Sequence, residues 1–153
     1  TALYVATVAR TYRKAIDDYL ESPEKYRENL EWYREEIGKC TYREFTTGFY
    51  FGKPGSDTQI YDSSTYVKNY TYLGTVEEKD SRGFGRIEQK NKFSVGETIE
   101  IMKPDGRNVE VTVKGIFRED GESQESAPHP QQVLFIDLDG QAEPYDILRK
   151  RED

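Results

Sequence analysis

The sequence predicts a mainly β fold: a small antiparallel β-barrel preceded by a two-helix segment. Three observations carry this. Apolar residues recur at helical spacing as far as Ile37 and in two-residue alternation from Tyr70 onward. The alternating runs are short and separated by Gly, Pro and Asp turns. The bulky side chains are mostly rings, 12 Tyr and 7 Phe, which suits a small barrel whose tyrosine hydroxyls stay near the surface.

In the first segment Tyr4, Val8, Tyr12, Ile16 and Tyr19 or Leu20 form one apolar stripe. Ser22-Pro23 offers an N-cap and first-turn pair for a second helix, in which Tyr26, Leu30, Tyr33 and Ile37 share a face and Gly38 marks the end. Glu24, Glu28, Glu31 and Arg34 take the opposite face, so two antiparallel helices joined by a short corner are expected. Residues 41–69 mix Gly, Pro, Ser, Thr and Asp with aromatics and fit no clean helix. Then TYLGTVEEK and GFGRIEQKN read as strands, as do ETIEIMKP and NVEVTVKGIFRED across a Pro104-Asp105-Gly106 turn. DGESQESAPHPQQ reads as a flexible loop. VLFIDLDG is a last strong strand, and EPYDILRKRED a short strand or turn with a charged tail.

The formal net charge is -7 with 33% charged residues. Such a balance repels a phosphate backbone at long range, which weighs against nucleic-acid binding by this chain alone. One cysteine, Cys40, excludes an internal disulfide and a Cys-rich metal site, and fits a reducing, cytoplasmic setting. No run of eighteen apolar residues occurs, so no membrane partner is expected. The chain opens directly on a helical pattern, without Met, cap or signal peptide, and reads as a piece of something larger, so secretion of the parent stays open.

Catalytic groups are sparse. Cys40 follows the second helix, and the single histidine, His129, lies between two prolines in the loop, a poor mount for a general base. No metal cage is expected, and Gly83-Phe84-Gly85 precedes a strand rather than a helix, so it is not a phosphate loop. Two stretches remain as substrate-contact candidates. One is REFTTGFYFGKPG, with Arg43, Phe49, Tyr50, Phe51 and Lys53. Exposed, its rings could stack bases or hold peptide side chains; alternatively Phe49 and Phe51 turn inward and anchor the helices against the barrel. The other is the series Arg82, Arg86, Lys90 and Lys92, either a basic sheet face or a solvated face balanced by Glu77, Glu78 and Glu88.

ALYVATVARTYRKAIDDYL, REFTTGFYFGKPG, YLGTVEE and GRIEQKNKFSVGETIEIMKPDG together resemble the C-terminal portion of the collagenase-like peptidases, peptidase family U thirty-two. The most specific parts are R-x-(F/Y)-T-T-G-F and N-K-F-x-x-G-(D/E)-x-(I/L)-E. The resemblance implies that residues 1–40 are the tail of a catalytic (β/α)-barrel domain plus a linker helix, and that 41–153 form a separate C-terminal β-barrel domain. Family members are catalogued as proteases, some linked to collagen degradation. Others hydroxylate the wobble uridine of transfer RNA with prephenate and an iron–sulfur cluster, whose cysteines lie in the barrel domain. The chemistry is thus expected elsewhere in the parent, with no cofactor in this chain. The implied role is a non-catalytic substrate-recognition or lid domain, with collagen-like peptide or transfer RNA as the macromolecular substrate. An RNA-binding module of a transfer-RNA hydroxylase and a purely structural or dimerisation domain are the alternatives.

Overall fold

The structure is a computed structural model that describes residues 1–40, 47–56 and 69–152. Helix α1 runs Ala2–Glu21, and, contrary to the expectation of an uncapped start, Thr1 caps it, its hydroxyl accepting from the Tyr4 amide at 3.3 Å. Ser22 then caps α2 (Pro23–Glu28), accepting from the Lys25 amide at 3.1 Å, with Pro23 in the first turn where its missing N–H costs nothing. The expected second helix is broken by one residue, Asn29, and resumes as α3 (Leu30–Ile37).

Asp18 explains that break. Its carboxylate lies almost wholly inside and accepts from Asn29 Nδ2 at 3.0 Å and from the Tyr33 hydroxyl at 2.6 Å, with Lys14 Nζ at 3.0 Å. Asn29 thus trades helical geometry for a bond to α1. Burial pushes the Asp18 carboxyl up, but the bonds from Tyr33, Lys14 and Asn29 outweigh it and hold the pKa below the ordinary 3.8. Burial and then Asp18 push the Tyr33 phenol from 10.0 up to about 12. The raised value means that this stabilisation is complete below pH 10 and is lost as pH rises through about 12. Tyr33→Phe is expected to cost about 1.5–3 kcal/mol, the worth of a hydrogen bond to a buried charge. Denaturant titrations between pH 8 and pH 11 should show that loss and a flatter alkaline limb.

The strands are β1 (Tyr70–Lys79), β2 (Gly85–Glu88), β3 (Phe93–Ser94), β4 (Thr98–Met102), β5 (Asn108–Thr112), β6 (Gly115–Phe117), β7 (Ser123–Gln124), β8 (Ser126–Ala127), β9 (Val133–Asp137) and β10 (Ile147–Arg151). Eight of them form one antiparallel sheet in the order β5-β4-β10-β1-β2-β9-β6-β7, while β3 pairs with β8. The predicted run 108–120 is one bent strand: only Val113 and Lys114 separate β5 from β6, yet β5 pairs with β4 and β6 with β9. Its two halves therefore draw opposite sides of the sheet together, and the sheet curls into a half-barrel. Long β1 serves two neighbours, β10 and β2, through register shifts at Tyr72/Gly74 and Val76/Glu78. Gly74 sits at the first shift, where a Cβ would come 3.1 Å from the Glu88 carbonyl oxygen. Inside the curl Leu73, Val76, Ile87, Phe93, Ile116 and Leu134 are fully buried.

Two further segments differ from the sequence reading. The loop 120–132 contains β7 and β8, because the small Ala127 is buried in the core opposite Phe93. The short strand or turn expected in EPYDILRKRED runs on into the charged residues as β10, a central strand between β4 and β1. The helices meet the sheet there: Leu3 of α1 packs with Met102 and Ile147.

Candidate functional site

Behind that small apolar contact lies a buried ionic joint. Glu36, at the end of α3, is fully enclosed. Its carboxylate accepts from Arg10 of α1, from Arg149 of β10 at 2.7 Å and from Asn108 of β5 at 2.9 Å, with Lys39 at 3.1 Å. Arg10 also donates to the carbonyls of Lys103 and Arg107 at 2.9 and 3.2 Å, and Arg149 Nε donates to Glu100 at 2.5 Å. Burial pushes the Glu36 carboxyl up, but Arg149, Arg10 and Lys39 outweigh it and hold its pKa below the ordinary 4.5. One carboxylate thereby ties α1, α3, β5 and β10 into a fixed relation.

The aromatic turn occupies the segment 47–56. Thr47 accepts from the Tyr50 amide at 3.0 Å and Phe49 from the Gly52 amide at 3.2 Å, so two tight turns follow one another. Gly48 and Gly52 hold φ values of +52° and +134°, which other residues rarely adopt. The rings point outward: Phe49 is 79%, Tyr50 84% and Phe51 83% exposed. This corrects the expectation that Phe49 and Phe51 turn inward and anchor the helices: both rings stay in solvent. Tyr50 and Phe51 meet edge to face, 4.9 Å between centroids. Lys53 is exposed and is the one charged residue between 47 and 56. Arg43 lies outside the described residues.

The other candidates stand among acids. Arg82 bonds Asp80 through Nε at 2.8 Å and lies 4.5 Å over the Phe84 ring and 5.2 Å over Phe117. Asp80 also accepts from the Arg82 and Phe84 amides, both at 2.9 Å, which fixes the turn carrying them. Arg86 pairs with Glu77 and, at 3.5 Å, with Glu78; Lys90 pairs with Glu88. Sequence reasoning named Arg82 but missed its aromatic neighbours Phe117 on β6 and Phe135 on β9, because strand pairing brings these together from distant positions.

Cys40 is buried and donates to the Ile37 carbonyl at 3.2 Å. Burial raises its pKa, the opposite of what a nucleophile or thiolate ligand needs. A single cysteine so placed does not fit the ligand set of an iron–sulfur cluster. His129 is exposed. Among the described residues no three His, Cys, Asp or Glu side chains gather in a way that could hold a metal ion. No described helix is long and apolar enough to cross a membrane.

The sequence of this half-barrel with docked helices matches known families. Residues 68–149 match the model described as "Peptidase family U32 C-terminal domain", and residues 1–60 match that of "Peptidase family U32". The chain belongs to peptidase family U32. It is 34% identical over 148 residues to tRNA hydroxylation protein P1 of Bacillus subtilis, an overlap of 96% of this chain and 35% of that protein. It is 30% identical over 134 residues to tRNA hydroxylation protein P of Escherichia coli, covering 87% of this chain and 28% of that protein. A solved C-terminal domain of a U32-family protein from Geobacillus thermoleovorans is 28% identical, spans 52% of this chain and 99% of that one, and superposes with a TM-score of 0.48. The chain thus spans about a third of the length of the curated relatives it matches.

Proposed function

We propose that this chain is the non-catalytic, substrate-contacting part of a U32-family protein that acts on transfer RNA. The observation that carries this reading is the exposed triplet Phe49, Tyr50 and Phe51 with Lys53 beside it. Rings held in solvent by two glycine turns lose apolar burial, a cost that a binding surface repays when a partner covers them. Unpaired bases fit such rings because every base has a stacking face, and one cation suffices to meet an adjacent phosphate. The names of the curated relatives favour RNA over peptide.

The net charge of -7 shapes how such binding must work. With Arg82, Arg86 and Lys90 in ion pairs, stacking supplies the affinity and long-range attraction does not. The salt dependence should therefore be shallow, with a log–log slope of about -0.7 for one phosphate met by Lys53. Titration of the 153-residue chain with transfer RNA and with a collagen-like peptide tests the proposal. RNA is expected to bind and the peptide not. Each ring replaced by Ala should weaken RNA binding about 5- to 150-fold, as 1–3 kcal/mol of stacking implies. RNA binding indifferent to the triple substitution, or a preference for the peptide, overturns it.

A further inference from the structure

Helix α1 is built inside out for a chain of this size. Toward the rest of the chain it buries Leu3, Thr7, Arg10, Thr11 and Asp18, four of the five polar. Toward solvent it presents Tyr4, Val5, Tyr12, Ile16, Tyr19 and Leu20, between 44% and 74% exposed. A surface helix ordinarily does the reverse. The predicted stripe is therefore real as a pattern, but it is not this chain's core.

The outward face continues into a groove of about 320 Å³ between Tyr12 on α1 and Tyr26, Leu30 and Ile37 on α2 and α3. The charged side chain that lines it, Arg34, is paired with Glu31 at 2.7 Å, and on α1 itself Arg13 pairs with Asp17. The surface is apolar, rich in tyrosine and electrically closed. That composition suits a permanent interface, since transient and nucleic-acid partners leave charges free to meet. The inward face, meanwhile, is pinned by the Arg10–Glu36 contact, so α1 cannot roll its apolar side inward without stripping a buried carboxylate of a partner.

Length indicates what covers it. The chain accounts for 35% and 28% of two tRNA hydroxylation relatives, so most of those proteins lies outside the part it matches. Residues 1–60, which include α1 to α3, match a family model separate from the one that matches the β region. We propose that the outward face of α1, with the adjoining tyrosine groove, is the seat of the remainder of the parent chain, held by an apolar patch on that remainder. The inference is independent of the RNA reading and holds equally if the substrate is a peptide.

Thiol labelling tests it. Ile16→Cys is introduced into the 153-residue chain and into the full-length parent, with Glu119→Cys on the exposed β6–β7 hairpin as control, and unsubstituted protein gives the Cys40 background. In the short chain both sites should label at the rate of a free thiol. In the parent, Ile16→Cys should label at least tenfold more slowly, with Glu119→Cys unchanged. Equal rates at Ile16→Cys in the two proteins overturn the proposal. Protection already present in the short chain and rising with its concentration means a second copy is the occupant, and protection that appears only with added transfer RNA means RNA is; either overturns it. Tyr19→Cys, on the same face, gives the same reading if Ile16→Cys fails to fold.

Discussion

Glu36→Gln is expected to destabilise the chain by about 3–5 kcal/mol, the usual loss when one partner of a buried ion pair is removed. Glutamine keeps the shape but not the charge, and so leaves the enclosed guanidiniums of Arg10 and Arg149 short of a counter-charge. Glu100 still meets Arg149, whereas Arg10 is left with carbonyls and the Asn108 amide oxygen. For a chain of this length the loss corresponds to a fall of about 6–20 °C in thermal midpoint. The pH dependence has a definite sign. Because the folded pKa of Glu36 is held below 4.5, its contribution is complete above pH 4.5 and is lost as pH falls further. Melting curves from pH 7 to pH 3 should lose part of their acid slope in the variant. A loss under about 1 kcal/mol, the scale of a surface pair, would show that the joint does not hold the helices on the sheet.

Phe93→Ala comes next, at about 3–5 kcal/mol for emptying a ring-sized site in a closed core. Phe93 is fully buried, and its strand β3 pairs with β8 through Ala127. This explains much of the N-K-F-x-x-G signature in physical terms. Asn91 Nδ2 donates to the Tyr72 carbonyl at 2.7 Å, Phe93 plugs the curl, and Gly96 turns the chain at a φ of +85°. The Gly96 amide then donates to Val113 at 2.8 Å, at the bend that joins β5 to β6. In urea the midpoint should fall with little change in slope. A cost below about 1.5 kcal/mol would mean that the site collapses and that Phe93 is not the plug.

Much of this architecture was legible in the sequence because it follows from local periodicity. The helical stripes, the Ser22-Pro23 start and strands β1, β4 and β9 fall where spacing and turn residues put them. What escaped depends on partners far away in sequence. EPYDILRKRED reads as a short strand or turn with a charged tail, yet Arg149 within it is fully buried because Glu36 and Glu100 lie against it. No period reveals that a carboxylate 113 residues earlier waits for it. Asn29 breaks a helix for a bond to Asp18, and Ala127 joins the core from a stretch whose composition says loop. The stripe on α1 shows the limit most clearly: the sequence marks an apolar face, but only packing shows which side of the chain it serves. At the candidate site the residues Phe49 to Lys53 were visible, while their outward direction was not, since it depends on the φ values at Gly48 and Gly52.

The most direct test of a substrate-contacting, non-catalytic role is steady-state kinetics of the full-length parent on transfer RNA, with Phe49, Tyr50 and Phe51 all replaced by alanine. Loss of contacts made equally before and during reaction raises KM and leaves kcat in place. The expected result is a KM increase of about tenfold or more, set by lost stacking, at unchanged kcat. A fall in kcat at unchanged KM, or no change in either, would contradict it.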